Sequence, residues 1–235
     1  MKDIQTILSE RSVGSAVTAK GWARTKRDTK NAIFVELNDG SCFSGLQCVF
    51  DADSISEQVR ESLARTTTGA ALAIGGTLVD SPAAGQPVEL RADCIEVIGE
   101  CPADSYPLQK KAHSLEFLRE IAHLRPRTNT IGAAARMRDE MAFAVHSFYH
   151  DRGFRYVHTP IITASDCEGA GEMFQATTLD LDAIARHGGP VDYGKDFFGK
   201  KAYLSVSGQL NVETYCMALG KVYTFGPTFR AENSN

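Results

Sequence analysis

The sequence lacks the features that would assign it to a membrane, secreted or zinc-binding class. No apolar run is long enough to cross a membrane, and the first five residues, Met-Lys-Asp-Ile-Gln, lack the apolar core of a signal peptide. The six cysteines form no C-x-x-C pair and no zinc-type pairing with histidine. The sequence also has no internal repeat and no coiled-coil pattern. We therefore expect a cytoplasmic protein with reduced thiols.

Composition and charge are those of an ordinary globular protein. The 235 residues suffice for one large domain or two smaller ones, and the hydrophobic and charged fractions, 43% and 23%, are typical. The net charge of −4 argues against a general nucleic-acid coat. It leaves room for a local basic patch.

The first hundred residues have the pattern of a small β domain. A helix is expected over residues 55–64, between the third and fourth of five strands. The strands are expected at residues 16–24, 32–37, 45–50, 70–79 and 88–98. This order is that of an OB-fold, a partly open barrel that commonly binds single-stranded nucleic acid.

Phe34 and Gln47 fall in the middle of two of these strands, beside a basic turn. An exposed Phe34 would stack on a base, Gln47 would read a base edge, and nearby cations would hold phosphates. The flanking cations are Arg24, Lys26, Arg27 and Lys30. The residues alone leave a second interpretation open, in which Phe34 is a core aromatic and the basic run is a solvated hairpin.

The middle of the chain predicts a linker, a hinge and a long helix. A proline-bearing linker is expected over residues 101–109, and a short helix over residues 114–123 that stops before Pro126. Residues 131–152 predict a long helix with an apolar stripe that packs either within the chain or across a subunit interface. The stripe consists of Ala134, Met137, Met141, Val145 and Phe148.

A strand, a loop and an insertion follow the long helix. Residues 154–162 predict a strand whose Pro160 requires an edge, a terminus or a bulge. The polar, glycine-rich residues 163–174 suit a loop that closes over a ligand. Residues 179–201 are irregular and indicate an insertion, to which no chemistry is assigned.

The closing stretch, residues 202–235, predicts a strand, a helix and a second strand. Ser207 is placed to cap a helix over residues 208–219, and residues 221–231 alternate as a strand would. Two sets of polar side chains would then share faces, one on the helix (Gln209, Val212 and Glu213) and one on the strand (Arg230 and Glu232). This combination indicates a polar ligand site. The pattern also leaves open a surface ion pair on an edge strand.

Several segments resemble the class II aminoacyl-tRNA synthetases. Tyr156-Val-His-Thr-Pro-Ile-Ile, after a long amphipathic helix, resembles their motif 1, and Phe229-Arg-Ala-Glu resembles the start of their motif 2. An OB-fold placed amino-terminal to that core is the layout of the subgroup that charges aspartate, asparagine and lysine. Residues 168–174, 207–213 and 224–234 look like the bacterial members that charge asparagine.

The resemblance implies an α+β architecture. A five-stranded OB-fold β-barrel would be followed by the first part of a class II synthetase antiparallel-sheet catalytic domain. The expected domains are an anticodon-binding domain at residues 1–101, a hinge at residues 102–130 and a partial catalytic domain at residues 131–235. Motif 3 and the acidic ligands of Mg²⁺ are expected beyond residue 235. The 235-residue chain alone is therefore expected to be inactive in pyrophosphate exchange.

The resemblance further implies an asparagine–tRNA ligase. With ATP and Mg²⁺ it would form asparaginyl-adenylate and transfer asparagine to tRNA(Asn), as a homodimer. Arg230 would be the catalytic residue, contacting the α-phosphate and the amino-acid carboxylate, and Glu232 would belong to the ATP site. The amino-acid site would comprise Glu168, Ser207, Gln209, Glu213 and Arg230.

Two positions favour asparagine over aspartate. Aspartyl enzymes usually carry Lys and Gln where this chain has Val212 and Glu213, and that lysine pairs with the substrate's side-chain carboxylate. Exchanging the cation for a carboxylate would repel aspartate and accept a hydrogen bond from the carboxamide. In the barrel, the resemblance makes Phe34 stack on the central anticodon base and Gln47 read it. The further anticodon-binding residues would be Arg24 and Lys26.

Two alternatives remain at this point. The chain could be a non-catalytic tRNA- or oligonucleotide-binding OB module with an inactive dimerisation segment, or a non-discriminating aspartyl/asparaginyl-tRNA synthetase. The coding sequence beyond residue 235 distinguishes the first alternative, because a return strand and a Gly-x-Gly-x-x-x-Arg element belong only to a catalytic enzyme.

Overall fold

The computed structural model describes residues 2–108, 111–167, 169 and 172–232. The chain folds into two compact units, Met1–Gly132 and Ala133–Asn235. The three domain boundaries expected from the sequence stay a prediction. Within the described ranges, no helix combines the length and the apolar character needed to cross a membrane.

The first unit is built around a five-stranded barrel. Its elements are α1 (Ile4–Glu10), β1 (Ala16–Asp28), β2 (Ala32–Asn38), β3 (Leu46–Asp51), α2 (Glu57–Arg65), β4 (Ala71–Asp80) and β5 (Val88–Gly99). The strand order is β1-β2-β3-β5-β4, and β1 also pairs with β4 over residues 16–22. The prediction of an OB-fold is confirmed. Because β1 pairs on both sides, the barrel is closed rather than partly open.

Alternation along the strands sends every second side chain into the barrel core. On β2, Val35 and Leu37 are fully buried, whereas Phe34 and Glu36 lie half-buried on the outer face. The largest fully buried side chains are Phe50, Ile4, Leu37, Leu46, Leu63, Leu72, Ile74, Leu78, Leu90, Val35, Val88 and Cys48. Removing this apolar surface from water is the main stabilising contribution to the barrel.

Helix α1, which the sequence pattern did not predict, packs against the barrel core. Ile4 and Ile7 are buried there. The Asp3 side chain accepts the amide of Thr6 at 2.7 Å and so caps the helix. Asp39, in the turn after β2, accepts the amide of Ile4 at 2.8 Å. A seven-residue helix is marginal by itself, so these contacts determine that it forms.

Two short helical segments precede the long helix, within the residues predicted to form a hinge. Helix α3 (Leu115–Glu120) starts at Ser114, whose hydroxyl accepts the amide of Phe117 at 3.2 Å. A 3₁₀ turn at Arg125–Arg127 contains Pro126, and helix α4 (Asn129–Asp151) follows. Both helices predicted here are confirmed, with ends that differ by one to three residues.

The second unit contains short strands in two small sheets. After the end of α4 its elements are β6 (Arg155–Tyr156), β7 (Ile162–Thr163), β8 (Gln175–Ala176), α5 (Leu181–His187), β9 (Ala202–Leu204), α6 (Gln209–Leu219) and β10 (Val222–Tyr223). Strand β10 pairs with β6 in parallel, and β9 lies between β7 and β8 in antiparallel pairing.

The single strand predicted over residues 154–162 is wrong. Strands β6 and β7 stand at its two ends and belong to different sheets. Pro160 lies between them and has no N–H for a ladder hydrogen bond, which explains the interruption.

The strand predicted over residues 221–231 is also too long, since only β10 is a strand. Farther along, the amide of Phe229 donates to the carbonyl of Ser205 at 2.9 Å, and the amide of Ala231 donates to the carbonyl of Glu172 at 2.9 Å. The alternating sequence is consistent with an extended backbone here. A strand additionally needs one continuous partner, and these two bonds go to different segments.

Helix α4 packs on its own unit through aromatic residues near its end. Tyr149 stacks on Tyr223 with ring centroids 4.5 Å apart, and His146 Nδ1 lies 2.7 Å from Tyr223 Oη. The predicted apolar stripe of α4 is not buried in the same way, since Met137 is 63% exposed and Met141 is 57% exposed. For these two methionines, the prediction of packing within the chain is therefore wrong. Their packing across a subunit interface stays a prediction.

One carboxylate holds the insertion between β8 and β9. Asp196 is 7% exposed and accepts four hydrogen bonds. The donors are the Thr177 hydroxyl at 2.6 Å, the Thr178 amide and hydroxyl at 2.9 Å, and the Phe197 amide at 2.8 Å. These hydrogen bonds, led by that of Thr177, lower the pKa of Asp196 to about 2.

Candidate functional site

The start of helix α6 presents two polar side chains of the predicted amino-acid site. Gln209 and Glu213 are both exposed, and Gln209 Nε2 donates to Glu213 Oε1 at 2.9 Å. Their spacing of one turn brings them to one face, as predicted, and Val212 beside them is half-buried. A carboxylate that already accepts one N–H in this arrangement retains further acceptor capacity for a carboxamide.

The N-cap of this helix was predicted at Ser207 but lies one position later, at Gly208. Gly208 is the N-cap residue, while the Ser207 hydroxyl accepts the amide of Gln209 at 3.1 Å. A Cβ at Gly208 would lie 2.6 Å from Thr159 Oγ1, so only glycine fits this close approach. The Ser205 hydroxyl donates to the carbonyl of Ser207 at 2.6 Å and fixes the turn into α6.

Arg230 and Glu232 lie side by side on the extended segment after β10. Arg230 Nη1 is 3.8 Å from Glu232 Oε1, and both side chains are half-exposed. The amides of Phe229 and Ala231 hold the backbone on either side of Arg230. A guanidinium fixed in this way, with donors still facing solvent, is suited to bind phosphate or carboxylate oxygens.

Backbone hydrogen bonds attach the segment that carries Arg230 and Glu232 to the residues just before α6, the helix that carries Gln209 and Glu213. The Phe229 amide bonds to Ser205, two residues before Ser207, and the Ala231 amide bonds to Glu172, at the end of the glycine-rich loop. Among the described side chains, no hydrogen bond or ion pair joins Gln209 or Glu213 to Arg230. Substrate oxygens could thus occupy the surface between them.

A cavity of about 230 Å³ lies beside this surface. It is lined by residues 156, 158–161, 205, 207, 208 and 224–228. Ser207 is the one predicted site residue in this lining, whereas Gln209, Glu213, Arg230 and Glu232 lie outside it. Apart from Ser207, the predicted polar groups are therefore not part of this cavity.

Glu168 and the metal site complete the catalytic predictions. Glu168 lies outside the described residues, so its expected contact with the substrate's amino end stays a prediction. In the described part of the chain, no group of three or more His, Cys, Asp or Glu side chains could hold a metal ion. The described residues therefore do not fit a Mg²⁺ site by themselves.

The outer face of β2 and β3 carries the residues expected to read the anticodon. Phe34 lies opposite Val49 and Gln47 lies opposite Glu36, so Phe34 and Gln47 share this face. Both are half-buried. Arg27, opposite Phe34 on β1, places its guanidinium 4.6 Å from the Phe34 ring centroid.

The two other predicted anticodon residues are occupied by contacts inside the chain. Lys26 lies opposite the buried Val35, and its Nζ donates to the carbonyl of Leu63 at the end of α2 at 2.7 Å. Arg24 Nη2 donates to Asn129 Oδ1 at 2.7 Å. The structure therefore brings Arg27, and not Lys26, to the face of Phe34.

A bulge in β1 sets the directions of Lys26 and Arg27. The pairing register shifts between Ala23 and Thr25. Strict alternation from the buried Ala23 would point Arg27 inward and Lys26 outward, but the extra residue reverses both directions. No turn residue or proline marks this bulge in the sequence.

Comparison with known families matches both units. The model of tRNA synthetases class II (D, K and N) matches residues 114–235, and that of the OB-fold nucleic acid binding domain matches residues 17–98. A curated asparagine–tRNA ligase of Treponema denticola is 55% identical over 99% of this chain and 51% of its own length. The asparagine–tRNA ligase of Desulfitobacterium hafniense is 60% identical over 92% of this chain and 46% of its own length. The chain thus spans about half the length of these curated relatives.

Solved structures match the fold along nearly the whole chain. Asparaginyl-tRNA synthetase from Pyrococcus horikoshii, complexed with asparaginyl-adenylate, has a TM-score of 0.79 at 23% identity, covering 99% of this chain and 49% of that one. The Entamoeba histolytica asparaginyl-tRNA synthetase in complex with asparaginyl-adenylate has a TM-score of 0.73 at 27% identity. The match covers 94% of this chain and 46% of that one. The predicted architecture, an OB-fold followed by part of a class II catalytic domain, is confirmed. The chain belongs to the class II tRNA synthetases of the D, K and N group.

Proposed function

We propose that this chain carries the anticodon-binding barrel and part of the aminoacylation site of an asparagine–tRNA ligase. The ligase activates asparagine with ATP and transfers it to tRNA(Asn). The observation that carries the proposal is the hydrogen-bonded pair Gln209 and Glu213 at the start of α6, with the apolar Val212 beside it. The high identity to curated asparagine–tRNA ligases supports the same substrate.

In the first step, asparagine's carboxylate attacks the α-phosphorus of ATP. A bond forms between a carboxylate oxygen and phosphorus, the bond to the bridging oxygen breaks, and pyrophosphate leaves with the electron pair. Arg230 would hold the α-phosphate and the substrate carboxylate together, and Glu232, 3.8 Å away, would keep the guanidinium in place within the ATP site. Arg230 is the proposed catalytic residue because negative charge accumulates at this phosphate in the transition state.

The amino-acid side of the site is proposed to read both ends of asparagine. Glu168 and Gln209 would accept hydrogen bonds from the ammonium group. Ser207 would fix the start of α6, where Gln209 lies. Glu213 would accept the carboxamide N–H. Aspartate would instead place a second carboxylate against Glu213 with no cation to compensate, which disfavours its binding.

The barrel is proposed to bind the anticodon of tRNA(Asn) through its outer face. Phe34 would stack on the central base and Gln47 would hydrogen-bond its edge. Lys26 and Arg24 each already donate a hydrogen bond inside the chain, to the Leu63 carbonyl and to Asn129, so a phosphate contact would use their other N–H groups. The proposal therefore assigns base recognition to Phe34 and Gln47, and the role of the two cations stays a prediction.

We also propose a division into domains and a homodimer. Residues 1–101 would form the anticodon-binding domain, residues 102–130 the hinge, and residues 131–235 the catalytic part with motif 1 and the start of motif 2. The exposed methionines of α4, Met137 and Met141, would meet a second copy of the chain.

The substrate assignment is tested by exchanging the two selecting residues. In the product of the complete reading frame, Val212→Lys with Glu213→Gln introduces the pattern of the aspartyl enzymes. We expect the ratio of asparagine- to aspartate-dependent pyrophosphate exchange to fall by about 100-fold or more. Thr214→Ala, on the same helix, is the control and should leave the ratio unchanged. An unchanged ratio in the double variant would show that this face of α6 does not select the substrate.

A further inference from the structure

Two residues of β1 hold a segment that lies 105 positions later in the chain. Trp22 and Arg24 flank Ala23, which is buried in the barrel core. The guanidinium of Arg127 lies over the Trp22 ring, 5.4 Å from its centroid. Arg24 Nη2 donates to Asn129 Oδ1 at 2.7 Å. Residues 22 and 24 thus meet residues 127 and 129, so the segment has two separate attachments to one strand.

The attached segment is constrained by its own geometry. It begins with the 3₁₀ turn Arg125–Arg127, where proline fixes the backbone. The Thr128 hydroxyl donates to the carbonyl of Arg125 at 2.7 Å. A Cβ at Gly132 would lie 3.2 Å from the carbonyl oxygen of Pro126, so the first turn of α4 also lies close to the segment. Arg127 and Asn129, the first residue of α4, are therefore joined by a short and constrained stretch of backbone.

We propose that residues 125–129 form a strap that fastens the start of α4 to the barrel, and that Arg24 is a positioning residue of this strap. Arg127 covers one face of Trp22, and its Nη1 also donates to Tyr106 Oη at 3.4 Å. Each contact is weak by itself because it lies at the surface, where water competes. The strap requires both attachments, and loss of either loosens the other.

This inference gives Arg24 a different role from the anticodon contact that the sequence suggested. Arg24 Nη2 already donates to Asn129, so a phosphate would have to use the other N–H groups of the guanidinium, whereas the role in the strap requires no RNA. The inference does not depend on the proposed aminoacylation activity. It is tested on the protein without RNA, ATP or asparagine, so it can fail while the proposed function holds.

Trp22 is the only tryptophan in the sequence, and its fluorescence therefore reports on the strap directly. The experiment measures acrylamide quenching and the emission maximum of the protein with Arg127→Gln, Asn129→Ala or the control Arg27→Gln. Arg27 also lies over an aromatic ring on the same barrel, Phe34, but does not contact the strap. The control thus removes an equal charge and a similar stacking contact.

We expect Arg127→Gln to raise the quenching constant, by at most about twofold because Trp22 is already 45% exposed. Asn129→Ala, which does not touch Trp22, should raise it in the same direction, and Arg27→Gln should leave it unchanged. A rise with Arg127→Gln alone would overturn the two-point strap, and no change with either variant would show that the strap is not formed in solution. Circular dichroism checks folding. If Arg127→Gln fails to fold, Arg127→Lys, which keeps the charge and loses the planar group, replaces it with the same expected rise.

Discussion

At the scale of single residues, side-chain direction decides which predicted contacts are available. The spacing of Gln209 and Glu213 predicts one helix face, and their 2.9 Å hydrogen bond agrees with it. The direction of Lys26 could not be predicted in the same way, because the bulge after Ala23 reverses the alternation on β1. A helix keeps its period through any sequence that folds as a helix, whereas one extra residue in a strand exchanges the two faces.

Gln47 provides a residue-scale prediction for anticodon recognition. In the product of the complete reading frame, Gln47→Ala should reduce aminoacylation of tRNA(Asn) by about 10- to 100-fold, because a base edge loses its hydrogen-bonding partner. Pyrophosphate exchange should be unchanged, since the side chain lies on the outer face of the barrel. The exposed Glu61→Ala on α2 is the control. Equal loss in both reactions would indicate that the barrel, and not base recognition, was damaged.

Asp196 gives a prediction about acid stability. Its pKa is lowered from 3.8 to about 2 in the folded protein, so its stabilising contribution is fully present above about pH 4 and is lost as the pH falls toward 2. Asp196→Asn should lower the Tm of the second unit at pH 7, because a neutral amide accepts these hydrogen bonds more weakly. Between pH 5 and pH 2 the difference in Tm between wild type and variant should shrink.

The exposed Asp182→Asn on α5 serves as the matched control and should leave Tm unchanged across this range. Thermal unfolding followed by circular dichroism measures both variants. A difference in Tm between wild type and Asp196→Asn that stays constant down to pH 2 would contradict the stated role of the ionised carboxylate.

At the scale of secondary-structure elements, the sequence predicts long, regular elements better than short ones. The five barrel strands and α4 are long enough for their hydrophobic period to be unambiguous. Helix α1 was missed because seven residues with two buried isoleucines give little periodic signal. Its stability comes from the barrel beneath it and from Asp39, which lies 35 positions after Ile4.

The dependence of α1 on tertiary packing can be measured by substitution. Ile7, which is 3% exposed, contacts the barrel core, and Ile7→Ala should lower the free energy of unfolding of the first unit by about 2–5 kcal/mol. Gln5→Ala, on the exposed side of the same helix, should change it by less than about 0.5 kcal/mol. Urea denaturation with circular dichroism measures both. Similar values for the two variants would mean that α1 does not pack on the barrel in solution.

The segments that carry the predicted site residues were harder to predict because their backbone partners are discontinuous. Residues 221–231 alternate in sequence, yet only β10 finds a strand partner, and Phe229 and Ala231 bond to two separate segments. Their partners, Ser205 and Glu172, carry no sequence signal of this pairing. The shared faces of Gln209 with Glu213 and of Arg230 with Glu232 were nevertheless predictable, because each depends only on local backbone geometry.

At the scale of the whole molecule, an exposed apolar surface on α4 is consistent with assembly. Met137 and Met141 lie one turn apart and are both more than half exposed. If they meet a second copy, Met137→Glu with Met141→Glu should shift the product of the complete reading frame from dimer to monomer in sedimentation velocity. Asp139→Lys, on the opposite side of the helix, should leave the dimer intact. A double variant that sediments as wild type would contradict the proposed interface.

The two units together define the function that the whole protein is proposed to perform. In this proposal the barrel would supply the face that binds the anticodon, through Phe34 and Gln47. The second unit carries the predicted aminoacylation residues Arg230, Glu232, Gln209 and Glu213. This chain spans about half the length of the curated relatives. Activity is therefore measured on the product of the complete reading frame that contains these 235 residues.

The most direct test of the asparagine assignment is amino-acid-dependent pyrophosphate exchange by that product. With ATP and Mg²⁺ present, asparagine should support exchange with a kcat/KM about 100-fold or more above that for aspartate, because only the carboxamide can donate to Glu213. Exchange that aspartate supports as well as asparagine, or better, would contradict the assignment.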